Sequence, residues 1–349
     1  MENEQFFSPR PGHENSEKNS DDLSSQNSFT YPLKPEPENK KSNIWVRSIT
    51  SLALYLLIGY YFFSANWILV LILTGIVIFH ELGHFLAMKI YHYKELGIFF
   101  IPLLGAYASG TKREVSQKQS AIILLAGPIP GIIVGIVLFL ITNERIVDMS
   151  YQSFQLLQIT ATLMIFLNVL NLLPIYPLDG GQLLNRLFLD DTNFIAKIFV
   201  LASALALGYL VTRLGMANSF FYVLLIFPLM MLTRLITDRR HDKLTRAIES
   251  QGLNLEKTYE ELTDEEYWKI RNILIENNYA TLRNIPPAPP YEYSANEDKV
   301  VAAIESLLQR TIVQDLSWLG KTIVILIWIG GFAAPFVTNM DLPFLHYHR

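Results

Sequence analysis

The sequence predicts an all-α polytopic membrane protein with about seven transmembrane helices, a re-entrant segment and a small cytoplasmic helical insertion. Three observations carry this. Hydrophobic residues make up 51% of the 349 and charged residues only 17%, where a soluble domain carries about 25% charged residues. The charges are segregated: 13 of the 60 charged side chains fall in residues 1–43 and 25 in 238–315. Between those blocks, apolar stretches long enough to cross a bilayer recur.

Residues 1–43 contain no Ala, Val or Ile, and five prolines interrupt a Ser/Asn/Glu/Lys mixture. Such a segment buries too little apolar area to offset its ordering entropy, so a disordered cytoplasmic tail is expected. It lacks the basic-then-apolar order of a signal peptide. Spans are expected at 45–63, 67–90, 119–141, 154–174, 195–213, 218–236 and 320–338. Lys40, Lys41 and Arg47 flank the first span, and Lys89, Lys94, Lys112, Arg113 and Lys118 lie between the second and third. Arg239, Arg240, Lys243 and Arg246 follow the sixth. The alternate gaps are almost bare of Lys and Arg. By the positive-inside rule the N-terminus, the 91–118 loop and the 237–319 region are cytoplasmic, and the tail after Val337 is outside.

The chain thus divides into a tail (1–43), a transmembrane core (44–236), a cytoplasmic helical insertion (237–319) and a last span with a short tail (320–349). Residues 95–110 are too short and too interrupted by Gly and Pro to span, and are expected to re-enter the bilayer. In the insertion, Thr263-Asp-Glu-Glu266 and Ser294-Ala-Asn-Glu297 both fit the capping-box pattern for a helix start. A proline-rich stretch from Arg283 to Tyr293 joins them. A regulatory partner could bind there, although a plain helical appendage explains the pattern as well.

Cysteine is absent, which removes disulfides, thiolate ligands and cysteine nucleophiles together. The net charge of −4 gives no basic surface for nucleic acid.

The second predicted span contains Phe79-His80-Glu81-Leu82-Gly83-His84. Histidines at i and i+4 share one helix face, where both imidazoles reach one metal ion, and the intervening glutamate can hold a water as general base. Two histidines and a glutamate are costly in lipid and mark a functional site by default. The plainer reading, two packed histidines beside a neutralised Glu81, leaves that cost without a purpose. Catalytic zinc takes three protein ligands and an open fourth position. Without cysteine the third ligand is a carboxylate or another histidine. His92 is on a loop, and His241, His346 and His348 lie in polar or terminal regions. Asp179 is a carboxylate embedded near membrane depth, in Asn171-Leu-Leu-Pro174-Ile-Tyr-Pro177-Leu-Asp179-Gly180-Gly181. The prolines break the helix there, and Asp179 would also serve as an N-cap. Beside the histidine motif, the ligand reading is the stronger.

These two stretches resemble the site-2 protease family of intramembrane zinc metalloproteases: His80-Glu-Leu-Gly-His84 in one transmembrane helix and Asn171-x-x-Pro174-x-x-x-Leu178-Asp179-Gly180 after a later one. The resemblance covers about residues 67–186. It implies one zinc ion per chain held by His80, His84 and Asp179, with Glu81 activating the water and Asn171 helping to position the substrate backbone. It further implies a transmembrane protein as substrate, cut within the bilayer by an enzyme of the cell membrane whose site opens to the cytoplasm. Ala126-Gly127-Pro128-Ile-Pro130-Gly131 is similar to a further family pattern, but Gly131 stands where an Asn is usual. Close helix packing through Gly127 and Gly131 accounts for that stretch, and Asn168 is read as structural. Two other readings stay open: a membrane-bound zinc protease that trims soluble or unfolded polypeptides, and a transporter or metal-handling scaffold. The scaffold leaves Glu81 between the histidines without a role.

Overall fold

The computed structural model describes residues 31–36, 43–63, 66–102, 105–112, 115–143, 150–188, 194–217, 222, 224–255, 257–277, 282, 285–289, 291–308 and 312–337. Among these, six helices are long and apolar enough to cross a membrane.

The chain enters the first span through Asn43, whose side chain accepts from the Trp45 N–H and caps α1 (Ile44–Phe62). Asn66 caps α2 (Trp67–Ile90) in the same way through Leu69, and Lys89 in its last turn suits the negative end of the helix. A β-hairpin follows, β1 (Lys94–Ile101) antiparallel to β2 (Gly105–Thr111), with Phe99 opposite Tyr107 and Ile98 opposite Ala108. This is the segment expected to re-enter the bilayer. Its two strands satisfy much of each other's backbone, and it lies along α1 and α2; the Phe100 N–H donates to Ser51 Oγ of α1 at 3.1 Å.

A two-residue strand, β3 (Val115–Ser116), leads into α3 (Gln117–Ala126) and α4 (Pro128–Asn143), which meet at Gly127 and together form one span. α5 (Tyr151–Asn171) starts at a Ser150 cap. It stops where Pro174 and Pro177, lacking N–H groups, cannot continue the ladder. The turn they create ends at α6 (Asp179–Phe188). α7 (Phe194–Ala217) and α8 (Ile226–Glu249) pack together. The sixth span, expected at 218–236, falls on α8 only from Ile226 onward, and that helix continues through Arg239, Lys243 and Arg246 to Glu249. Residues 218–221 and 223 lie outside the described residues.

The insertion is built on α9 (Asp264–Glu276) and α10 (Glu297–Leu307), with the C-terminal part of α8 packed on it. Thr263 and Glu266 form the expected capping box. At α10 only half of the box forms: Ser294 N–H donates to Glu297, and the helix begins at Glu297 without a side-chain cap. Glu297 is drawn inward instead, because its carboxylate meets Arg271 Nε at 2.7 Å and Tyr267 OH at 2.7 Å. Trp268, Tyr267, Ile270 and Leu274 form the buried centre. β4 (Ile312–Val313) pairs in parallel with β3, and α11 (Trp318–Val337) returns to the core. There the indole of Trp328 donates to the Leu172 carbonyl at 2.8 Å, holding the turn after α5.

Of the tail expected to be disordered, residues 31–36 are an exception: they lie in extended form along the insertion. Residues 1–30 and 37–42 lie outside the described residues.

Candidate metal centre

His80, Glu81 and His84 are buried on the inner face of α2, which packs on α3, α4, α5 and the hairpin. Such an approach to α2 demands small residues. A Cβ at Gly83 would collide with the Ala126 carbonyl, one at Gly127 with the His84 ring, and one at Gly131 with the Asn168 side chain. The Gly127–Gly131 stretch therefore makes room for a histidine and for its neighbour's support. Gly180 and Gly181 do the same for α6, where a Cβ would strike the backbone of Leu172 and Ile175. That close seating brings Asp179, the first residue of α6, under the two histidines.

The geometry at their meeting point is tight. His80 Nε2 and His84 Nε2 are 3.1 Å apart. Asp179 Oδ2 is 3.0 Å from the first and 3.3 Å from the second. Each ring is aimed by its other nitrogen. His80 Nδ1 is 2.8 Å from Asn168 Oδ1, and His84 Nδ1 is 2.7 Å from the Ile123 carbonyl. Both partners are acceptors, so each Nδ1 carries the proton and each Nε2 presents a lone pair. Asp179 Oδ2, itself buried, makes no hydrogen bond. Three acceptor atoms thus converge with no donor among them, an arrangement that a cation stabilises and its absence penalises.

Tetrahedral zinc with ligands at about 2.0–2.1 Å separates those ligands by about 3.3 Å. The three observed separations fit. The donor set of two neutral imidazoles and one carboxylate also suits zinc and leaves one coordination position for water. Among the described residues, His80, His84 and Asp179 are the one group of three such side chains able to share an ion.

The hairpin closes one side of the site. Ala108 of β2 lies close to the Glu81 carboxylate, and β2 packs along α2. Because alternate residues of a strand point their backbone groups to opposite edges, Ala106, Ala108 and Gly110 face away from β1.

Asn171, the expected substrate-positioning residue, is half-buried, and its Nδ2 donates to the Leu167 carbonyl at 3.2 Å within its own helix. Asn168, read from the sequence as structural, is the residue that meets the His80 ring. The signal was available: Asn168 lies three residues before Asn171, and a buried Asn on a helix facing a histidine pair is a candidate partner for an imidazole N–H. His92 lies on the loop after α2 with a positive φ of 59°, outside the cluster. His346 and His348, and the side chain of His241, lie outside the described residues.

Comparison with known proteins agrees with this site. Residues 68–145 match the model of peptidase family M50. A zinc metalloprotease of Methanocaldococcus jannaschii is 30% identical over 142 residues, which is 39% of this chain and 40% of the relative. Stage IV sporulation protein FB of Bacillus subtilis is 28% identical over 124 residues, 36% of this chain and 41% of that one. The chain thus spans about two fifths of the length of these curated relatives. A solved site-2 protease from M. jannaschii aligns over 55% of this chain and 87% of its own at 24% identity, with a TM-score of 0.40. The residues 68–145 that match hold α2 with all of His80-Glu81-Leu82-Gly83-His84, and the fold then delivers Asp179 to them. Over residues 68–145 the chain is thus similar to peptidase family M50, and that stretch carries two of the three side chains of the candidate metal centre, His80 and His84.

Proposed function

We propose that the protein is an intramembrane zinc metalloendopeptidase that hydrolyses peptide bonds in the transmembrane helices of membrane-protein substrates. The observation that carries the reading is the meeting of His80, His84 and Asp179 beside Glu81, on a helix of membrane-spanning length. Zinc bound by these three residues supplies Lewis-acid polarisation of the scissile carbonyl and of a water. Glu81, beside the two histidines, takes a proton from the attacking water as the oxygen–carbon bond forms. When the carbon–nitrogen bond breaks, Glu81 returns that proton to the leaving amine. The Asn168 and Ile123 carbonyl oxygens hold the two rings in the required tautomer throughout.

Depth supports the choice of substrate. Glu81 lies 14 residues into α2, so at about 1.5 Å per residue it is some 20 Å from the helix start. In a ~30 Å hydrocarbon core this leaves the site roughly 10 Å from the far boundary. The Lys/Arg pattern makes that boundary the cytoplasmic one. A soluble polypeptide would have to enter as a loop with its backbone desolvated, whereas a membrane helix already lies at that depth. A helix hides its carbonyls in its own hydrogen bonds, so the substrate must unwind. The outward edge of β2 offers an extended chain backbone partners beside Glu81.

The test uses reconstituted protein with a single-span substrate and with the same peptide lacking its apolar stretch. Cleavage of the embedded substrate alone, lost in Glu81→Gln, is the expected result. Equal cleavage of both peptides, both lost in Glu81→Gln, would instead make this a membrane-bound protease of soluble polypeptides.

A further inference from the structure

The contact between residues 31–36 and the insertion has the form of a ligand in a receptor. Its sequence is Tyr31-Pro32-Leu33-Lys34-Pro35-Glu36. Each proline fixes its own φ and drives the residue before it, Tyr31 and Lys34, into extended backbone. Pro-x-x-Pro segments are recognised elsewhere in aromatic grooves, because little entropy remains to be lost on binding.

The insertion presents such a groove. The indole N–H of Trp268 donates to the Pro32 carbonyl at 2.9 Å. Tyr259 OH donates to the Pro35 carbonyl at 2.7 Å, and Tyr293 OH donates to that of Leu33. Tyr31 packs edge-on against Tyr291, which itself abuts Trp268, and the Tyr293 ring stacks on the same indole. The carbonyls of Pro32, Leu33 and Pro35 are therefore read by side-chain donors.

Lys34 is held in a pocket of its own. Its ammonium donates to the carbonyls of Tyr259, Glu260 and Leu262 at 2.6, 2.9 and 2.6 Å. Those three acceptors use all three of its protons. The ring of Tyr259 lies 5.2 Å away, and the Lys34 backbone N–H donates to Asp264 Oδ1 at 2.7 Å. A planar guanidinium does not match three carbonyls converging on one point. Leu33 is 76% exposed, so the groove takes its carbonyl and is indifferent to its side chain.

We propose that the 237–319 region is a peptide-reading module for an extended Pro-x-Lys-Pro segment, and that its resident ligand is the chain's own Tyr31–Glu36. The pairing straps the tail to the insertion on the same side of the membrane. It is independent of the proteolytic reading, since no group of the metal centre takes part.

Binding of a fluorescent peptide of residues 30–37 to the purified full-length chain tests it. In the wild-type chain the tethered segment competes, at a high effective concentration, and the peptide binds weakly. In the Lys34→Glu chain the groove is freed, and the peptide should bind roughly tenfold or more tightly than to wild type. The same peptide carrying Lys34→Glu or Lys34→Arg should bind neither. Trp268→Ala would remove a buried core residue, so the groove is tested with Tyr293→Phe in the Lys34→Glu chain, which should weaken the peptide while leaving the helical circular dichroism unchanged. The proposal is overturned if the Lys34→Glu chain binds no peptide, if it binds the wild-type and Lys34→Glu peptides alike, or if the wild-type chain binds as tightly as the variant.

Discussion

Asn168 Oδ1 accepts the Nδ1 proton of His80 at 2.8 Å, while its own Nδ2 donates to the Met164 carbonyl at 2.7 Å. The second bond assigns the first: with the amide nitrogen spent on Met164, only the oxygen faces the imidazole, and His80 turns the lone pair of Nε2 toward His84 and Asp179. Asn168→Leu removes the acceptor and frees the ring to change tautomer. Zinc affinity should fall about 10- to 100-fold, the usual cost of losing such a partner, as read by competition with a chromogenic chelator. Unchanged affinity would show that packing alone orients His80.

The ligands and the base separate cleanly. His80→Ala, His84→Ala and Asp179→Ala should each lose most bound zinc in metal analysis of purified protein. Glu81→Gln should retain zinc and lose hydrolysis, because it keeps the shape but not the proton acceptor.

Gly127→Ala is a test of the close approach. The new methyl would occupy the space of the His84 ring, so either the ring or the α3–α4 junction must shift. Zinc content should drop while the membrane spans stay folded. Gly75→Ala on the same helix meets nothing within 4 Å and should be silent.

In the insertion, Arg271 is almost fully buried and meets both oxygens of Glu297, at 2.7 and 3.2 Å. Removing the arginine strands a carboxylate, which costs about 3–5 kcal/mol for a buried pair. Arg271→Ala should therefore lower the melting temperature of the insertion, followed by its helical signal, and leave zinc content intact.

The same pair sets an acid limit. Burial raises the Glu297 carboxyl, and hydrogen bonds from Arg271, the Ser294 N–H and Tyr267 outweigh that and hold it below its ordinary value of 4.5. Glu266, bonded to Lys257 and the Thr263 cap, is lowered as well. Folded carboxyls held below their unfolded value stabilise fully above about pH 4.5 and lose that contribution as pH falls through the folded values. Urea midpoints of the insertion should be flat from neutral pH down to about 5 and decline below, and Glu297→Gln should flatten the decline.

The helical spans and the three side chains that converge, His80, His84 and Asp179, were legible because each rests on a local pattern. An i, i+4 histidine pair needs only helix periodicity, and Asp179 was marked by the prolines that end α5. The hairpin was not legible, since Ile98 to Ala108 carries no alternation and its strands are stabilised by packing on α1 and α2. Asn168 was undervalued for a related reason: its role depends on a histidine 88 positions away, which no local spacing reports. The strap at residues 31–36 was hidden by composition, because the apolar area that orders it belongs to Trp268, Tyr291 and Tyr293 of a distant segment.

The pairing of β3 with β4 has a mechanical consequence. Asp315, on the strand's way out of the insertion, binds Ser116 Oγ and the Lys118 N–H, and Ser116 is the residue that caps α3. Seven residues further along, the Ile123 carbonyl grips His84. The stretch from Ser116 to Ile123 is therefore a rod about 10 Å long, tied to Asp315 at one end and to the His84 ring at the other. The exit of the insertion and the orientation of the His84 imidazole thus share one helix, α3.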